Sequence, residues 1–364
     1  MLNYHNPDLV LTDLTVTAGN IHWKSPSNLA IIKYWGKYGQ QLPRNPSISF
    51  TLQNAYTETA FSYQAKSVAS DDIMLDFYFE GKPNEAFKAK LVKFLHSIRP
   101  IFPFLSQFEL TIKSSNSFPH SAGIASSASS MSALALCLCS MEKALFGNLS
   151  TEQAFLQKAS FVARLGSGSA CRSVYPTMAI WGENDVEADA SNLYATSFVE
   201  DLHPIFKSFH DDILIASKAE KSVSSRAGHA LMENNIYAEN RYAQARQRFR
   251  ELLNALRSGD VEQFGSIAEN EALSLHALMM TSNPSYILMR PNSLKMIEMV
   301  RQYRADTKRA LYFSLDAGPN LHLLYPDDIT TEVQQFIKEE LSPYCEDGLW
   351  IPDVVGQGPV NKTS

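Results

Sequence analysis

A run of small and hydroxyl side chains at residues 117–130 (SFPHSAGIASSASS) has the composition of a phosphate-binding loop that leads into a helix. Gly123 would let a ligand approach the backbone closely, and Ser126 and Ser127 offer hydroxyl groups to an anion or its metal. The unpaired N–H groups and positive dipole of a helix N-terminus also favour an anion. In isolation, a serine-rich helix cap without a ligand is the more common explanation. Other segments must therefore decide whether the loop binds phosphate.

Polar donors also cluster around a predicted strand at residues 25–37 (SPSNLAIIKYWGK). They are of the types that a small polyanion requires, namely Asn28, Lys33, Tyr34 and Lys37. Taken alone, the segment is more simply a strand with solvated lysines at its end.

Glycine and serine alternate between two arginines at residues 163–173 (ARLGSGSACRS), where Ser167, Gly168 and Ser169 form a donor-rich turn. Arg172 could hold a carboxylate or phosphate with its planar fork, which lysine cannot match. A plain surface loop explains this pattern equally well.

An aspartate, Asp316, ends a β-prone run at residues 310–315 and begins the turn DAGPN. It could have a catalytic role at the end of a strand. For this position alone, an Asx-turn residue is the more common role.

The composition is that of an ordinary globular enzyme of two domains, with 364 residues, 45% hydrophobic and 19% charged. A net charge of −6 indicates neither a nucleic-acid partner nor an acidic membrane surface, so an anion site must be local. Neither a GxxxxGK[ST] loop nor a GxGxxG fingerprint occurs, which argues against P-loop and Rossmann chemistry.

We expect a cytoplasmic protein. The N-terminus lacks the charged and apolar regions of a secretory signal, and the longest purely apolar run, residues 133–139, is too short to span a bilayer. The four cysteines form neither a disulfide framework nor a zinc site, because Cys137 and Cys139 point to different faces of a predicted helix.

Hydrophobic periodicity predicts strands and turns in the first half and mainly helices in the second, in two α+β layers. The apolar stripe of the helix after the serine-rich loop ends at a cap residue, Gly147. The other predicted elements are strands at 72–79, 107–114, 310–315 and 321–325 and helices at 86–98, 249–256, 264–275, 292–303 and 331–341. The domain boundary is predicted within residues 185–212.

Together these segments resemble the mevalonate diphosphate decarboxylases, a family of the galactokinase, homoserine kinase, mevalonate kinase and phosphomevalonate kinase superfamily. The strings KYWGK and GSGSACRS are the most diagnostic. The resemblance extends over residues 28–37, 117–130, 163–173, 221–228, 271–277, 316–320 and 356–359. It implies an α+β, two-domain fold: a ribosomal-protein-S5-like domain at 1–205 for ATP, and a ferredoxin-like domain at 206–364 for substrate, whose C-terminal end could pack back on the first.

The resemblance implies a lyase of the mevalonate pathway of isoprenoid biosynthesis. Its reaction converts 5-diphosphomevalonate and ATP, with Mg²⁺, to isopentenyl diphosphate, CO₂, ADP and phosphate. ATP first phosphorylates the C3 hydroxyl, since hydroxide is a poor leaving group; departure of that phosphate then drives loss of CO₂. In this scheme Asp316 acts on the C3 hydroxyl as base or orienting acceptor, Lys33 tunes it, and Arg172 with Asn28 fixes the substrate carboxylate.

By the same resemblance, the substrate diphosphate lies on Tyr34, Lys37 and the turn Ser167, Gly168 and Ser169, and Ser224 contributes to a segment that closes on the transferred phosphate. Ser126 or Ser127 lies near Mg²⁺, and His276 is a packed core histidine rather than a catalyst. The residues implied for the ATP phosphates are Pro119, His120, Ser121, Ala122, Gly123, Ile124, Ala125, Ser126 and Ser127. The implied assembly is a homodimer whose partners are small molecules, ATP and a phosphorylated mevalonate.

Two departures from the family pattern bear on specificity. His120 and Ser121 replace small residues in the phosphate loop, and Arg44 and Pro46 stand near the expected substrate side. Alternative functions are therefore a decarboxylase of mevalonate 5-phosphate or of a 3,5-bisphosphate, a kinase that stops after phosphorylating C3, and an inactive nucleotide-binding regulatory module. The presence of Asp316, Lys33 and Arg172 together favours complete decarboxylation.

Overall fold

The computed structural model describes residues 3–13, 18–68, 70–119, 124–219 and 222–363. Its larger sheet is mixed, with strand order β14-β1-β4-β7-β5-β6, and β8 extends from β4 to β9. The strands of this sheet are β1 (Ala18–Ile32), β4 (Ser47–Ala65), β5 (Met74–Phe79), β6 (Lys82–Pro83), β7 (Phe108–Asn116), β8 (Met178–Trp181), β9 (Ala195–Ser197) and β14 (Val360–Asn361). A separate small hairpin joins β2 (Lys37–Tyr38) to β3 (Leu42–Pro43).

The long antiparallel strands β1 and β4 form the centre of the larger sheet and of the N-terminal half of the fold. Exposure alternates along the first part of β1, whereas its last eight residues are all buried. The pairing has a bulge between Pro26 and Asn28 and another between Ala30 and Ile32. Since a bulge changes the direction of the side chains that follow it, these irregularities determine where the donors after Ile32 point.

Three helices pack on the larger sheet: α1 (Glu85–Ser97), α2 (Ser126–Phe146) and α3 (Glu152–Gly166). The predicted stripe of α2 lies in the main apolar core, and the helix ends at Gly147 with φ +68°, as its cap role predicts. By length and composition α2 could cross a membrane, but 61% of its most apolar window is buried inside the fold. Its apolar character is therefore that of a central core helix.

The second sheet is antiparallel, with order β11-β12-β10-β13. Its strands are β10 (His210–Leu214), β11 (Tyr312–Ser314), β12 (Leu321–Tyr325) and β13 (Trp350–Ile351), and its helices are α4 (Ser225–Ala230), α5 (Ala238–Ser258), α6 (Val261–Met280), α7 (Pro291–Thr307) and α8 (Thr330–Phe336). The predicted break between α5 and α6 is present: Gly259 has φ +81°, and the Asp260 side chain caps α6 by accepting from the N–H of Gln263 at 2.9 Å. The mixed α/β, two-domain architecture predicted from the sequence is confirmed.

The two halves pack through a shared apolar core and through the C-terminal segment. Leu29 and Ile31 of β1 lie in one cluster with Phe249 of α5 and Phe264 of α6. β14 pairs with β1, so the C-terminal segment contacts the first half. The Asp353 carboxylate also accepts N–H groups of residues 53–55 at 2.7–2.8 Å. These contacts fix the positions of side chains from both halves at their junction. The predicted domain boundary at residue 205 stays a prediction.

Two predicted elements differ in extent. The strand predicted at 310–315 is shorter, because β11 pairs with β12 only from Tyr312 to Ser314. The helix predicted at 331–341 is α8 followed by a π-helical turn, Ile337–Leu341, that keeps Ile337 and Leu341 buried. Neither difference changes the apolar face that the sequence pattern predicted.

Candidate active site

A cavity of about 370 Å³ lies at the junction of the two halves. Most of the predicted site residues line it, namely Lys33, Tyr34, Lys37, Ala125, Ser127, Ser167, Gly168, Ser169, Arg172 and Asp316. The wall also includes Arg226, so four side chains that are ordinarily cationic face one carboxylate, that of Asp316. Such a cavity suits a small molecule with several negative charges.

Lys33 and Asp316 form an ion pair, with Nζ 2.8 Å from Oδ1. Lys33 follows β1 and its side chain is 2% exposed, while Asp316 follows β11 and keeps 23% of its side chain accessible from the cavity. The Asp316 carbonyl lies 3.1 Å from Nε2 of His276, which is buried. His276 therefore contacts the turn that carries Asp316 and is not among the residues of the cavity wall.

A buried carboxylate that the sequence reasoning did not single out supports Lys33. Oε2 of Glu271 accepts the backbone N–H of Lys33 at 2.9 Å. Arg241 donates to both Glu271 oxygens at 2.7 and 2.5 Å, and Arg248 donates to Oε1 at 3.0 Å. Burial alone would raise the pKa of Glu271, but Arg241 and the other donors lower it overall, so the group is ionised. The available signal was a glutamate at helical spacing within the apolar stripe of α6, where charges are rarely buried unless paired.

Arg172 is buried and held by neutral groups. Its Nε donates to Ser49 Oγ at 2.8 Å and its Nη1 to Ser47 Oγ at 2.6 Å. Its Nη2 lies 3.4 Å from Oδ1 of Asn28, whose amide donates in turn to Ser173 Oγ at 2.7 Å. Burial lowers the pKa of Arg172, and among the described residues no carboxylate forms an ion pair with it. The described hydrogen bonds of this buried cation go only to hydroxyls and an amide, which suits it to an anionic ligand.

Tyr34 and Lys37 form another part of the wall. The buried Tyr34 hydroxyl has no hydrogen-bond partner among the described residues, and burial raises its pKa. A Cβ at Gly168 would lie 2.8 Å from that hydroxyl, so glycine is required for the close approach. Lys37 Nζ donates to Gln41 Oε1 at 2.9 Å, and burial followed by the charge of Arg226 lowers the Lys37 pKa.

The predicted phosphate loop is described only in part, since His120, Ser121, Ala122 and Gly123 lie outside the described residues. Ala125, with φ +44°, and Ser127 line the cavity, and Ser127 Oγ lies 3.2 Å from Ser167 Oγ. The described flank of the loop therefore adjoins the predicted diphosphate turn.

Several predicted residues have supporting positions instead. Ile124 packs in a small apolar cluster, and its carbonyl accepts from Ser27 Oγ at 2.6 Å. The Ser126 carbonyl accepts from the hydroxyls of Ser129 and Ser130 inside α2. The lining of the cavity does not include Ile124, Ser126, Pro119 or Asn28. Asn28 is connected to the cavity through its contact with Arg172, which lines it.

Two expectations need correction. Ser224 does not line the cavity, because its hydroxyl caps α4 by accepting the N–H of Ala227 at 3.2 Å; its neighbours Ser225 and Arg226 line the wall. Arg44 does not add a cation to the cavity, because it is exposed and its guanidinium lies 5.0 Å from the centroid of the Tyr38 ring. Pro46 packs against Gly182, where an added Cβ would meet Pro46 Cα at 2.8 Å.

The fold and the site define a two-domain enzyme of the galactokinase, homoserine kinase, mevalonate kinase and phosphomevalonate kinase superfamily. The family model of the diphosphomevalonate decarboxylase-like N-terminal domain matches residues 25–192, and that of the mevalonate 5-diphosphate decarboxylase C-terminal domain matches residues 212–350. The chain is 31% identical to the diphosphomevalonate decarboxylase of Candida albicans over 313 residues, which are 83% of each chain. It therefore belongs to the diphosphomevalonate decarboxylase family.

Solved structures agree with this assignment. The mevalonate diphosphate decarboxylase of Staphylococcus aureus superposes with a TM-score of 0.81 at 26% identity, over 96% of this chain and 99% of that one. The structure of MDDEF in complex with MVAPP, AMPPCP and magnesium has a TM-score of 0.80 at 28% identity, over 95% of this chain and 100% of that one.

Proposed function

We propose that this protein catalyses the ATP-dependent decarboxylation of 5-diphosphomevalonate to isopentenyl diphosphate, CO₂, ADP and phosphate. One observation carries the proposal: Arg172 and the Lys33–Asp316 pair line the same cavity. A kinase that phosphorylates an alcohol needs a group such as Asp316 at the hydroxyl. A buried arginine beside that group is the additional part that a decarboxylase needs, because it can orient the carboxylate that is lost.

The chemistry follows from these positions. Asp316 accepts the proton of the C3 hydroxyl, or its hydrogen bond, while that oxygen attacks the terminal phosphorus of ATP and the bond to the bridging oxygen breaks, so that ADP leaves. The ammonium of Lys33, 2.8 Å from Oδ1 of Asp316, offsets negative charge on the transferred phosphoryl group. When the C3–O bond breaks, the phosphate takes the electron pair. The C–C bond to the carboxylate then supplies the electrons of the new alkene, and CO₂ leaves from its place beside Arg172.

ATP and Mg²⁺ fit the donors present. Among the described residues no three His, Cys, Asp or Glu side chains gather as a metal site, so the ion would be held chiefly by nucleotide phosphate oxygens, with the Ser127 hydroxyl as the nearby protein oxygen. When bound, Mg²⁺ neutralises charge on the phosphates during transfer. Ser126 keeps its place in this proposal only through its backbone at the start of α2.

The cationic wall supports a diphosphate over a monophosphate. Burial and, after it, the charge of Arg226 lower the pKa of Lys37, and an anion bound near these two side chains would offset that repulsion. Tyr34, Ser167 and Ser169 add hydroxyl donors to the same wall. Arg44, which had suggested another phosphorylation state, lies outside the cavity.

The test is a comparison of kcat/KM for 5-diphosphomevalonate, mevalonate 5-phosphate and mevalonate 3,5-bisphosphate, with ATP and Mg²⁺. We expect the diphosphate to be preferred by more than about tenfold, since each well-placed charged hydrogen bond contributes about 1.5–3 kcal/mol. A higher kcat/KM for either of the other two compounds would show that it, rather than 5-diphosphomevalonate, is the preferred substrate. Failure to consume ATP with all three would favour the inactive binding module.

A homodimer in the cytoplasm is proposed on general grounds. Two-fold dimers are the commonest closed assemblies of soluble proteins. The four cysteines are buried and unpaired, which suits a reducing compartment. Light scattering coupled to gel filtration tests the assembly, and a monomer at micromolar concentration would contradict it.

A further inference from the structure

His229 lies on α4 and forms part of the cavity wall. The residue is 8% exposed and its ring contacts two aromatic rings, with centroid distances of 4.4 Å to Tyr34 and 4.6 Å to Trp35. No pattern in the sequence indicates a chemical role for this histidine. Its contacts with the two rings leave the imidazole little freedom to reorient.

The hydrogen bond of one ring nitrogen determines the tautomer. The backbone N–H of Gly36 lies 3.0 Å from Nδ1 of His229, and a backbone N–H can only donate. Nδ1 must therefore be the acceptor, and the proton of a neutral ring is on Nε2. Gly36 has φ +101°, and a Cβ there would lie 2.2 Å from Tyr242 Oη, so the position of this donor is itself restricted.

The surroundings keep the ring neutral. Burial and, after it, the charge of Lys37 lower the pKa of His229 to about 3. Arg226 lies one turn earlier on α4 and also lines the cavity, and no described carboxylate forms an ion pair with the imidazole. Protonation of Nδ1 would also place its hydrogen directly against the hydrogen of the Gly36 backbone N–H. His229 is thus a neutral donor beside two cationic side chains.

We infer that His229 is a specificity-determining residue whose Nε2–H donates a hydrogen bond to a phosphate oxygen of the bound diphosphate, next to Lys37 and Arg226. The inference deepens the proposed function and rests on it for the identity of the substrate. Long cationic side chains attract a polyanion but lose rotamer freedom when they bind it. An imidazole packed against two aromatic rings is already in place, so it selects the position of an oxygen rather than only its charge.

Two matched amide variants separate this role from a structural one. His229→Asn keeps an acceptor near the place of Nδ1 and loses the distal donor, whereas His229→Gln can place an N–H near the position of Nε2. We expect His229→Asn to raise KM for 5-diphosphomevalonate about tenfold and to change kcat by less than about threefold, since one hydrogen bond to an anion is lost. His229→Gln is expected to recover most of that loss. A purely structural role predicts the reverse order, with Asn the better replacement, and would overturn the inference.

Binding of inorganic pyrophosphate, measured by calorimetry, tests the residue independently of turnover. We expect affinity to fall about tenfold in His229→Asn and by less than about threefold in His229→Gln. Equal affinity in wild type and His229→Asn would contradict the inference. If the wild type turns over no mevalonate derivative, the proposed function fails, while the pyrophosphate measurement still decides whether His229 binds a diphosphate.

Nitrogen NMR of histidine-labelled wild type covers the case in which the variants do not fold. The account predicts that the His229 ring is the neutral Nε2–H tautomer at pH 7 and that its Nε2 signal shifts when pyrophosphate is added. A ring protonated on Nδ1, or an Nε2 signal unchanged at saturating pyrophosphate, would overturn it.

Discussion

Nζ of Lys33 lies 2.8 Å from Oδ1 of Asp316, although the two residues follow strands of different sheets. The lysine is almost fully buried, while the aspartate remains accessible from the cavity. The apolar core between the halves packs β1 against α5 and α6 and so helps to bring the two residues together. The reactive carboxylate therefore depends on the packing of both halves.

Replacement of Asp316 by asparagine tests its role at the hydroxyl. Asp316→Asn keeps the shape and removes the charge, so we expect kcat to fall by about 10²–10⁴-fold, the usual contribution of a general base. The measurement is ADP release with 5-diphosphomevalonate, with circular dichroism to establish that the variant is folded. Turnover near the wild-type rate would remove Asp316 from the mechanism.

Arg172→Lys tests the grip on the substrate carboxylate. The charge is kept, but the fork that bonds Ser47, Ser49 and Asn28 is lost, so the ammonium cannot be held in the same place. We expect kcat/KM for CO₂ release to fall by about 10²-fold, equivalent to about 3 kcal/mol for charge-assisted hydrogen bonds. A change smaller than about threefold would show that lysine suffices and that the fork has no role.

Glu271→Gln tests the support of Lys33. Loss of its charge leaves Arg241 and Arg248 facing a neutral group, and we expect the free energy of unfolding to fall by about 3–5 kcal/mol, as for other broken buried pairs. Urea denaturation is the measurement. The matched control is Asp185→Asn, which breaks the exposed pair with Arg250 and should change stability little. Equal losses in the two variants would contradict the role assigned to Glu271.

Acid should destabilise the protein partly through His229. Its pKa falls from the ordinary 6.5 to about 3 in the folded state, so the unfolded chain binds the extra proton between these values and stability is lost as pH falls below 6.5. Relative to His229→Gln, which cannot titrate, the wild type should lose up to about 1.4 kcal/mol per pH unit. Urea denaturation from pH 7.5 to 5 checks this difference. Parallel stability profiles would contradict it.

The parts predicted from sequence are those that local pattern determines. The stripe of α2 and its cap at Gly147 follow from helical spacing, and Lys33 and Asp316 stand in short segments, KYWGK and DAGPN, on which the family resemblance rests. The support of Lys33 by Glu271 depends on how α6 meets β1, which no local pattern contains. Likewise, nothing in a run of serines shows that the Ser224 hydroxyl caps a helix while its neighbours face the cavity.

His229 is another residue whose role could not be predicted from the sequence. A histidine near the end of a short helix has no sequence signature of function, and its chemistry appears only when Gly36 and the rings of Tyr34 and Trp35 surround it. Arg44 is the converse case, since a cation near the expected substrate side turned outward over Tyr38. In both cases tertiary packing, rather than residue type, decides which side chain faces the substrate.

The most direct test of the account is the stoichiometry of the wild-type reaction. Purified protein is incubated with ATP, Mg²⁺ and 5-diphosphomevalonate, and ADP, phosphate and CO₂ are followed in one time course. We expect the three products to appear in equal amounts. ADP without phosphate and CO₂ would identify a kinase that stops at C3, and the absence of ADP would contradict an ATP-dependent decarboxylase altogether.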